Sequence, residues 1–360
     1  MTPRPTRPAA AGARTARITG LGSALPGGGF EQGEVWDRFF ARHSGGGRAR
    51  ERVFRGAGVR RRHAVVNPLV EDVSGWSTGQ RMRRYATEAP PLGKEAVSAA
   101  LADAGVAAED VGLLAVVSCT GYSTPGVDIR VAADLGMAPD VQRLVIGHMG
   151  CYAALPGLGA VSDYVTARGK PAVLLCLELT SLHVQPSTGD MEQVVSHALF
   201  GDAAAAVVVQ PDPAPGHEIV DVVSVTDAGT ADHMTWDVTD LGFRMGLSPQ
   251  VPEVLARHVT PLVTDLLGRH DLEIPDVDTW AAHPGGPRIL DTVRDRLALP
   301  ADALDASRRV LAERGNCSST TVLLVWEELR AAAAPGRPVV LLAFGPGLTL
   351  YVALLRGTGG

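Results

Sequence analysis

The chain has 360 residues, enough for one large domain or two fused ones, and its 46% hydrophobic content can fill a sizeable core and excludes disorder for the bulk of it. A net charge of -6 argues against nucleic acid as the main partner, because phosphate backbones select a basic face. It leaves room for a local basic patch around a small anion.

Residues 1–15 are rich in Pro, Ala and Arg, lack the apolar core of a secretory signal, and read as a disordered tail. Nothing reaches the about 18 consecutive apolar residues that span a bilayer. The first strand is expected at 16–21. Seven arginines then crowd 48–62: Arg48, Arg50, Arg52, Arg55, Arg60, Arg61 and Arg62. Such a run is usually a solvated helix face; its functional reading is a phosphate clamp, since guanidinium forks pair well with phosphate. A helix is expected at 86–104, a strand at 113–118 and a helix at 126–135. After a glycine-flanked segment around Cys151 come a helix at 152–167 and strands at 172–176 and 203–208. The loop 210–216 holds three prolines and divides the chain into halves of 16–210 and 217–360. The second half repeats the alternation, with strands at 219–225, 279–282, 339–343 and 348–354 and helices at 251–269, 288–297 and 319–334. The pattern predicts a layered α/β fold with two similar halves, although no residue-level repeat is evident.

Reactive residue types fall where strands end. Gly147 and Gly150 permit a tight turn before Cys151, and the following helix is expected to aim its positive end at the sulfur. With an imidazolium nearby, such a setting pulls a thiol pKa from ~8.5 into the range of roughly 3.5–7.5. Alone, Cys151 would read as a buried structural cysteine; Cys119 and Cys176, in strand-like apolar runs, do read so. His283 ends the 279–282 strand, and Pro284-Gly285-Gly286-Pro287 forces an abrupt turn that presents it to a pocket or merely caps a turn. Asn316 precedes a Ser-Ser-Thr-Thr run that opens a helix. Its amide could cap that helix or face a developing oxyanion, and the residues alone leave both readings open. The four cysteines form no CxxC pair, which fits free thiols in a reducing cytoplasm. The ten histidines show no HExxH or paired metal spacing, so no metal is expected.

These three segments, with Ala198-Leu199-Phe200-Gly201-Asp202 and Phe344-Gly345-Pro346-Gly347-Leu348-Thr349, resemble the type III polyketide synthases of the chalcone synthase superfamily, from about residue 16 to the C-terminus. The resemblance implies an α/β thiolase fold, layered αβαβα with two pseudo-duplicated halves. It implies a cytoplasmic homodimer that takes acyl-CoA starters and malonyl-CoA and needs no further cofactor. Carried over residue by residue, Cys151 would hold the acyl chain and His283 would pair with its thiolate. His283 and Asn316 would hold the malonyl thioester carbonyl while CO2 leaves. Phe200 and Phe243 would be gatekeepers, and Cys119, Thr180, His183 and Met234 would line the cavity. Gly285 and Gly286 would shape the turn beside it, and Arg52, Arg55 and Arg288 would contact CoA. Cys119, His183 and Met234 replace small polar residues of the plant members that cyclise aromatic starters. The segments 120–126, 180–183 and 234–237 look more like bacterial members making alkylresorcinols or alkylpyrones from fatty acyl starters. Ala343 replaces the glycine that usually precedes the Phe-Gly-Pro-Gly loop.

An initiating ketoacyl-carrier-protein synthase would share the fold and the three residues, but Phe200 and the 344–347 loop speak against it. A papain-like hydrolase lacks support around Cys151 and from the duplicated pattern. A silent partner-binding subunit is disfavoured because all three reactive residues are present.

Overall fold

The computed structural model describes residues 14–187 and 189–358, so most of the expected N-terminal tail lies outside the described residues. In the first half, β1 (Ala16–Ala24) leads to α1 (Arg48–Arg55), α2 (Thr78–Ala104), β2 (Leu113–Ser118), α3 (Val127–Leu135), β3 (Gln142–Gly147), α4 (Ala154–Arg168), β4 (Ala172–Glu178), α5 (Met191–Leu199) and β5 (Ala203–Pro211). The second half runs β6 (His217–Thr226), a hairpin of β7 (Met234–Thr239) and β8 (Gly242–Leu247), α6 (Val251–Gly268), β9 (Thr279–Ala282), α7 (Pro287–Arg296), α8 (Asp305–Arg314), α9 (Thr321–Leu329), β10 (Pro338–Gly345) and β11 (Thr349–Gly357).

The strands lie in the order β9-β10-β11-β6-β1-β5-β4-β2-β3. The two halves of this sheet touch through only two residue pairs, Arg17 with Glu218 and Ile18 with His217. Strands buried on both faces need apolar side chains at every position, not alternate ones. β5 shows why: Ala203, Ala205 and Val207 face one core while Ala204, Ala206 and Val208 face another. β10 divides likewise, with Val339 and Leu341 turned inward and Val340 and Leu342 outward.

Helices α4 and α9 fill the space between the two half-sheets, through Leu155, Leu158 and Val161 on one and Val322, Leu323 and Trp326 on the other. α2 and α3 cover the outer face of the first half, and α6 and α7 that of the second. The layers therefore run αβαβα, the thiolase-like order that the resemblance implies.

Several elements differ from expectation. α2 begins at Thr78, eight residues before the expected 86, because Ser77 and Gln80 form a reciprocal cap ahead of Pro90 and Pro91. β3 was not expected; it is an edge strand whose solvent-facing residues break the apolar run, with Leu144 and Val145 exposed. The hairpin β7–β8 and helices α1, α5 and α8 are likewise additions, α1 being the helix on which the first arginines of the cluster lie. No helix among the described residues is long and apolar enough to cross a membrane.

Candidate active site

Cys151 follows β3 through a turn in which His148 (φ 57°) and Gly150 (φ 84°) adopt left-handed backbone. Glycine suits position 150 twice over: the backbone is left-handed, and a Cβ there would lie 2.5 Å from Pro346. α4 starts at Ala154, not at 152 as expected, so Cys151 sits in the turn that leads into the helix. The sulfur is buried. Burial pushes the thiol up to about 12, and a hydrogen bond with Ser318 pulls only partly against it. This runs against the expected depression: the cost of a charge away from water outweighs the hydrogen bonds that favour the thiolate.

His283 caps β9. Its N–H donates to the carbonyl of Leu342 at 2.7 Å, extending the ladder with β10 by one residue. Pro287 then opens α7 behind Gly286. Gly285 leaves space for the ring of Phe344, which a Cβ would meet at 2.6 Å, and the His283 imidazole lies edge-on to that ring at 5.6 Å. His283 is 1% exposed, yet neither ring nitrogen has a hydrogen-bond partner among the described residues. Burial drives the imidazole down to about 3, so it is neutral at physiological pH. A buried imidazole with both nitrogens idle is costly, and such groups collect where a substrate completes them.

Asn316 is held by its backbone beside Phe200: its N–H donates to Leu199 at 2.8 Å, and its carbonyl accepts from Gly201 at 3.0 Å. Its Oδ1 accepts from the N–H of Ser318 at 2.9 Å, which makes an Asx turn; the expected cap is not formed, since Thr320 is the N-cap of α9. The same bond orients the amide, and its NH2 makes no hydrogen bond to a described residue. Ser318 itself has φ 50°, so non-glycine left-handed residues stand close to both Cys151 and Asn316.

Beneath the sulfur lies a polar network that the sequence reading missed. The buried carboxylate of Glu178 accepts from the Cys119 N–H at 3.0 Å, from Thr120 Oγ1 at 2.8 Å and from Ser319 Oγ. The Cys119 thiol lies 3.4 Å from both Glu178 and Ser318 Oγ. Burial raises the Glu178 pKa against these donors, and burial together with Glu178 raises that of Cys119. The available signal was a lone carboxylate ending the run Leu174-Leu175-Cys176-Leu177, since unpaired buried glutamates are rare.

Cys151, Cys119, Thr180, Phe200 and Ser318 line one pocket with Trp236, Met245 and Pro346. The expectations for Cys119, Thr180 and Phe200 therefore place them on one wall with the sulfur. Phe243 is not on it: its ring stacks on His183 at 4.4 Å, and Met245, two residues along β8, reaches the cavity instead. Met234 is buried in the outer core of the second half. His183 donates through Nε2 to the carbonyl of Thr120 at 2.7 Å and accepts at Nδ1 from the Phe243 N–H at 2.9 Å, a neutral strut between two loops. Trp236, also missed, donates to the Cys119 carbonyl at 2.7 Å.

The three cations expected to contact CoA differ in availability. Arg55 is committed to Glu51 and Asp37. Arg52 and Arg288 are exposed and form no ion pair with a described residue. They stand on α1 and α7; Gly58, in the segment after α1, packs on Pro287 at the start of α7.

Residues 4–213 match the family model for the N-terminal domain of chalcone and stilbene synthases, and residues 222–359 match that for the C-terminal domain. The chain is 38% identical to 1,3,6,8-tetrahydroxynaphthalene synthase from Streptomyces peucetius subsp. caesius, over 85% of this chain and 82% of that one. It is 33% identical to alpha-pyrone synthesis polyketide synthase-like Pks18 from Mycobacterium tuberculosis, over 83% and 80%. The crystal structure of PKS-I from the brown alga Ectocarpus siliculosus superposes with a TM-score of 0.88 at 28% identity, covering 96% of this chain and 99% of that one.

Proposed function

The chain belongs to the chalcone and stilbene synthase superfamily of type III polyketide synthases, acyltransferases that form C–C bonds by condensation, and within it we propose that Cys151, His283 and Asn316 are the reacting set. Cys151 takes an acyl group from a CoA starter: a new C–S bond forms, the bond to CoA breaks, and CoA leaves as its thiol. Loading starts from a neutral thiol and a neutral imidazole, so passing the proton from sulfur to nitrogen leaves the net charge of the cavity unchanged. His283 and Asn316 then donate to the thioester carbonyl of malonyl-CoA. Loss of CO2 places an enolate oxygen between them, and the enolate carbon attacks the acyl-Cys151 carbonyl. No strong base is required, which suits donors over acceptors. The observation that carries this reading is the buried His283 ring, neither of whose nitrogens has a hydrogen-bond partner among the described residues.

The product we favour is an alkylresorcinol or alkylpyrone grown from a fatty acyl starter; the similarity to a relative named for alpha-pyrone synthesis supports it. A second reading, a polyhydroxynaphthalene, which carries no alkyl chain and so needs no fatty starter, is favoured by the relative 38% identical, named for 1,3,6,8-tetrahydroxynaphthalene synthesis. Incubation with malonyl-CoA, alone and with short, long and aromatic acyl-CoAs, separates them by product mass. Product from malonyl-CoA alone supports the second reading. Extension of long acyl chains supports the first. Turnover only with malonyl carrier protein would overturn both in favour of an initiating ketoacyl synthase.

The homodimer fits this reading: the edge strand β3, with Leu144 and Val145 exposed, offers unpaired backbone and apolar side chains to a second copy. Arg52 and Arg288 remain the CoA contacts we propose, in a cytoplasmic enzyme.

A further inference from the structure

A second pocket adjoins the first and shares Thr180, Phe200 and Trp236 with it. Its wall includes Arg62, which is 5% exposed. The guanidinium is packed among the rings of Phe30, Phe40 and Phe54 at 5.9, 6.0 and 5.5 Å. One nitrogen, Nη1, donates to the carbonyls of His197 and Phe200. The other two, Nε and Nη2, are buried and have no hydrogen-bond partner among the described residues. Asp202 raises the Arg62 pKa from nearby, but its oxygens accept from Thr180, Ser181 and Val65 and it forms no ion pair with Arg62. His183 and His197, which also line this cavity, are neutral. Arg62 therefore brings a formal positive charge to this space, with Asp202 near it but in no ion pair with it.

Nε and Nη2 lie on the same edge of the guanidinium and form the fork that grips a carboxylate by two parallel bonds. A buried unpaired charge is costly, and an anion arriving in that fork relieves the cost. We propose that this cavity receives the far end of the starter chain, and that the fork of Arg62 selects acyl groups ending in a carboxylate, that is, dicarboxylic acid monothioesters. The chain passes from Cys151 between Thr180, Phe200 and Trp236. This inference rests on the loading of Cys151 proposed above and adds the chemical class of the starter.

The test is acylation of Cys151, followed by intact-protein mass, with matched pairs: adipoyl-CoA against hexanoyl-CoA, and suberoyl-CoA against octanoyl-CoA. The wild-type enzyme is expected to load the carboxylate-ended member of at least one pair about tenfold faster or more in kcat/KM, as charge-assisted bidentate bonds warrant. Arg62→Met should abolish the preference while still loading octanoyl-CoA, and Arg62→Lys should keep part of it. Equal or slower loading of both dicarboxylic thioesters by the wild type overturns the proposal, as does a preference that survives in folded Arg62→Met. If the Arg62 variants do not fold, the wild-type ratio alone decides. Loading of the neutral chains shows that the reaction assigned to Cys151 stands whatever the outcome at Arg62. Failure to load any chain would count against that reaction and this inference alike.

Discussion

The two halves each direct a central helix into the middle layer, and each places a reactive side chain just ahead of it, but they treat that side chain differently. Ahead of α4, Cys151 is buried beside the Ser318 hydroxyl, and burial raises its thiol pKa. Ahead of α9, Asn316 is fixed by backbone bonds on both sides and by its own Oδ1. On the proposed reading the first half supplies the group that carries the acyl chain, and the second supplies Asn316 as a donor that stays in place. Similar architecture would then carry different mechanical demands at Cys151 and Asn316.

The most direct way to break the comparison is to remove the acyl-carrying group. Cys151→Ala is expected to abolish acyl-enzyme formation and product, read by intact mass after incubation with acyl-CoA, while the melting temperature stays close to wild type. Asn316→Ala should slow malonyl-CoA decarboxylation by ~10²–10³ and also cost roughly 1 kcal/mol of stability through loss of the bond to the Ser318 N–H. Asn316→Asp separates these effects: it keeps the oxygen that accepts from Ser318 and loses the NH2, so the fold should hold while CO2 release falls. Equal decarboxylation in Asn316→Asp and wild type would remove Asn316 from the reacting set.

Acid offers a gentler test of the second half. His283 is pushed down to about 3 in the fold, against an unfolded value of ~6.5. Between these values the unfolded chain binds the extra proton, so stability rises with pH and is lost as pH falls below about 6.5. At pH 5 this one histidine should cost on the order of 2 kcal/mol. Glu178 and Asp202, whose pKa values burial raises, act in the opposite sense. The informative quantity is therefore the difference between wild type and His283→Gln: melting temperature should fall less in the variant from pH 7 to pH 5. The smallest effect is expected at the surface, where Arg52→Ala should raise KM for malonyl-CoA a few-fold. Arg55→Ala, already paired with two carboxylates, should change it less.

Much of this was legible in the sequence, for physical reasons. Strands buried on both faces read as unbroken apolar runs, so β2 and β9 were bounded correctly to the residue. Glycines beside Cys151 and His283 marked abrupt turns. What the sequence hid was lateral. β3 carries polar residues because it lies at an edge. Phe243 and Met245 share a strand face, and only packing shows that the phenyl ring is taken by His183 and the thioether is left for the cavity. Glu178 and Ser318 acquire meaning only when residues 141 apart (Glu178 and Ser319) and 199 apart (Cys119 and Ser318) are folded against each other. The sign of the Cys151 shift was missed because local motif chemistry says nothing of how deeply a turn is covered.

The contact between Gly150 and Pro346 joins the loop carrying the sulfur to the hairpin of β10 and β11. Any side chain added at 150 must displace the proline ring, so these two loops, nearly two hundred positions apart, have to be inherited as a matched pair. Recombining this chain with a relative by exchanging whole halves would split that pair. Chimeras should survive only where both parents carry a compatible seam, which leaves substitutions along the cavity walls as the freer route by which such an enzyme acquires a new product.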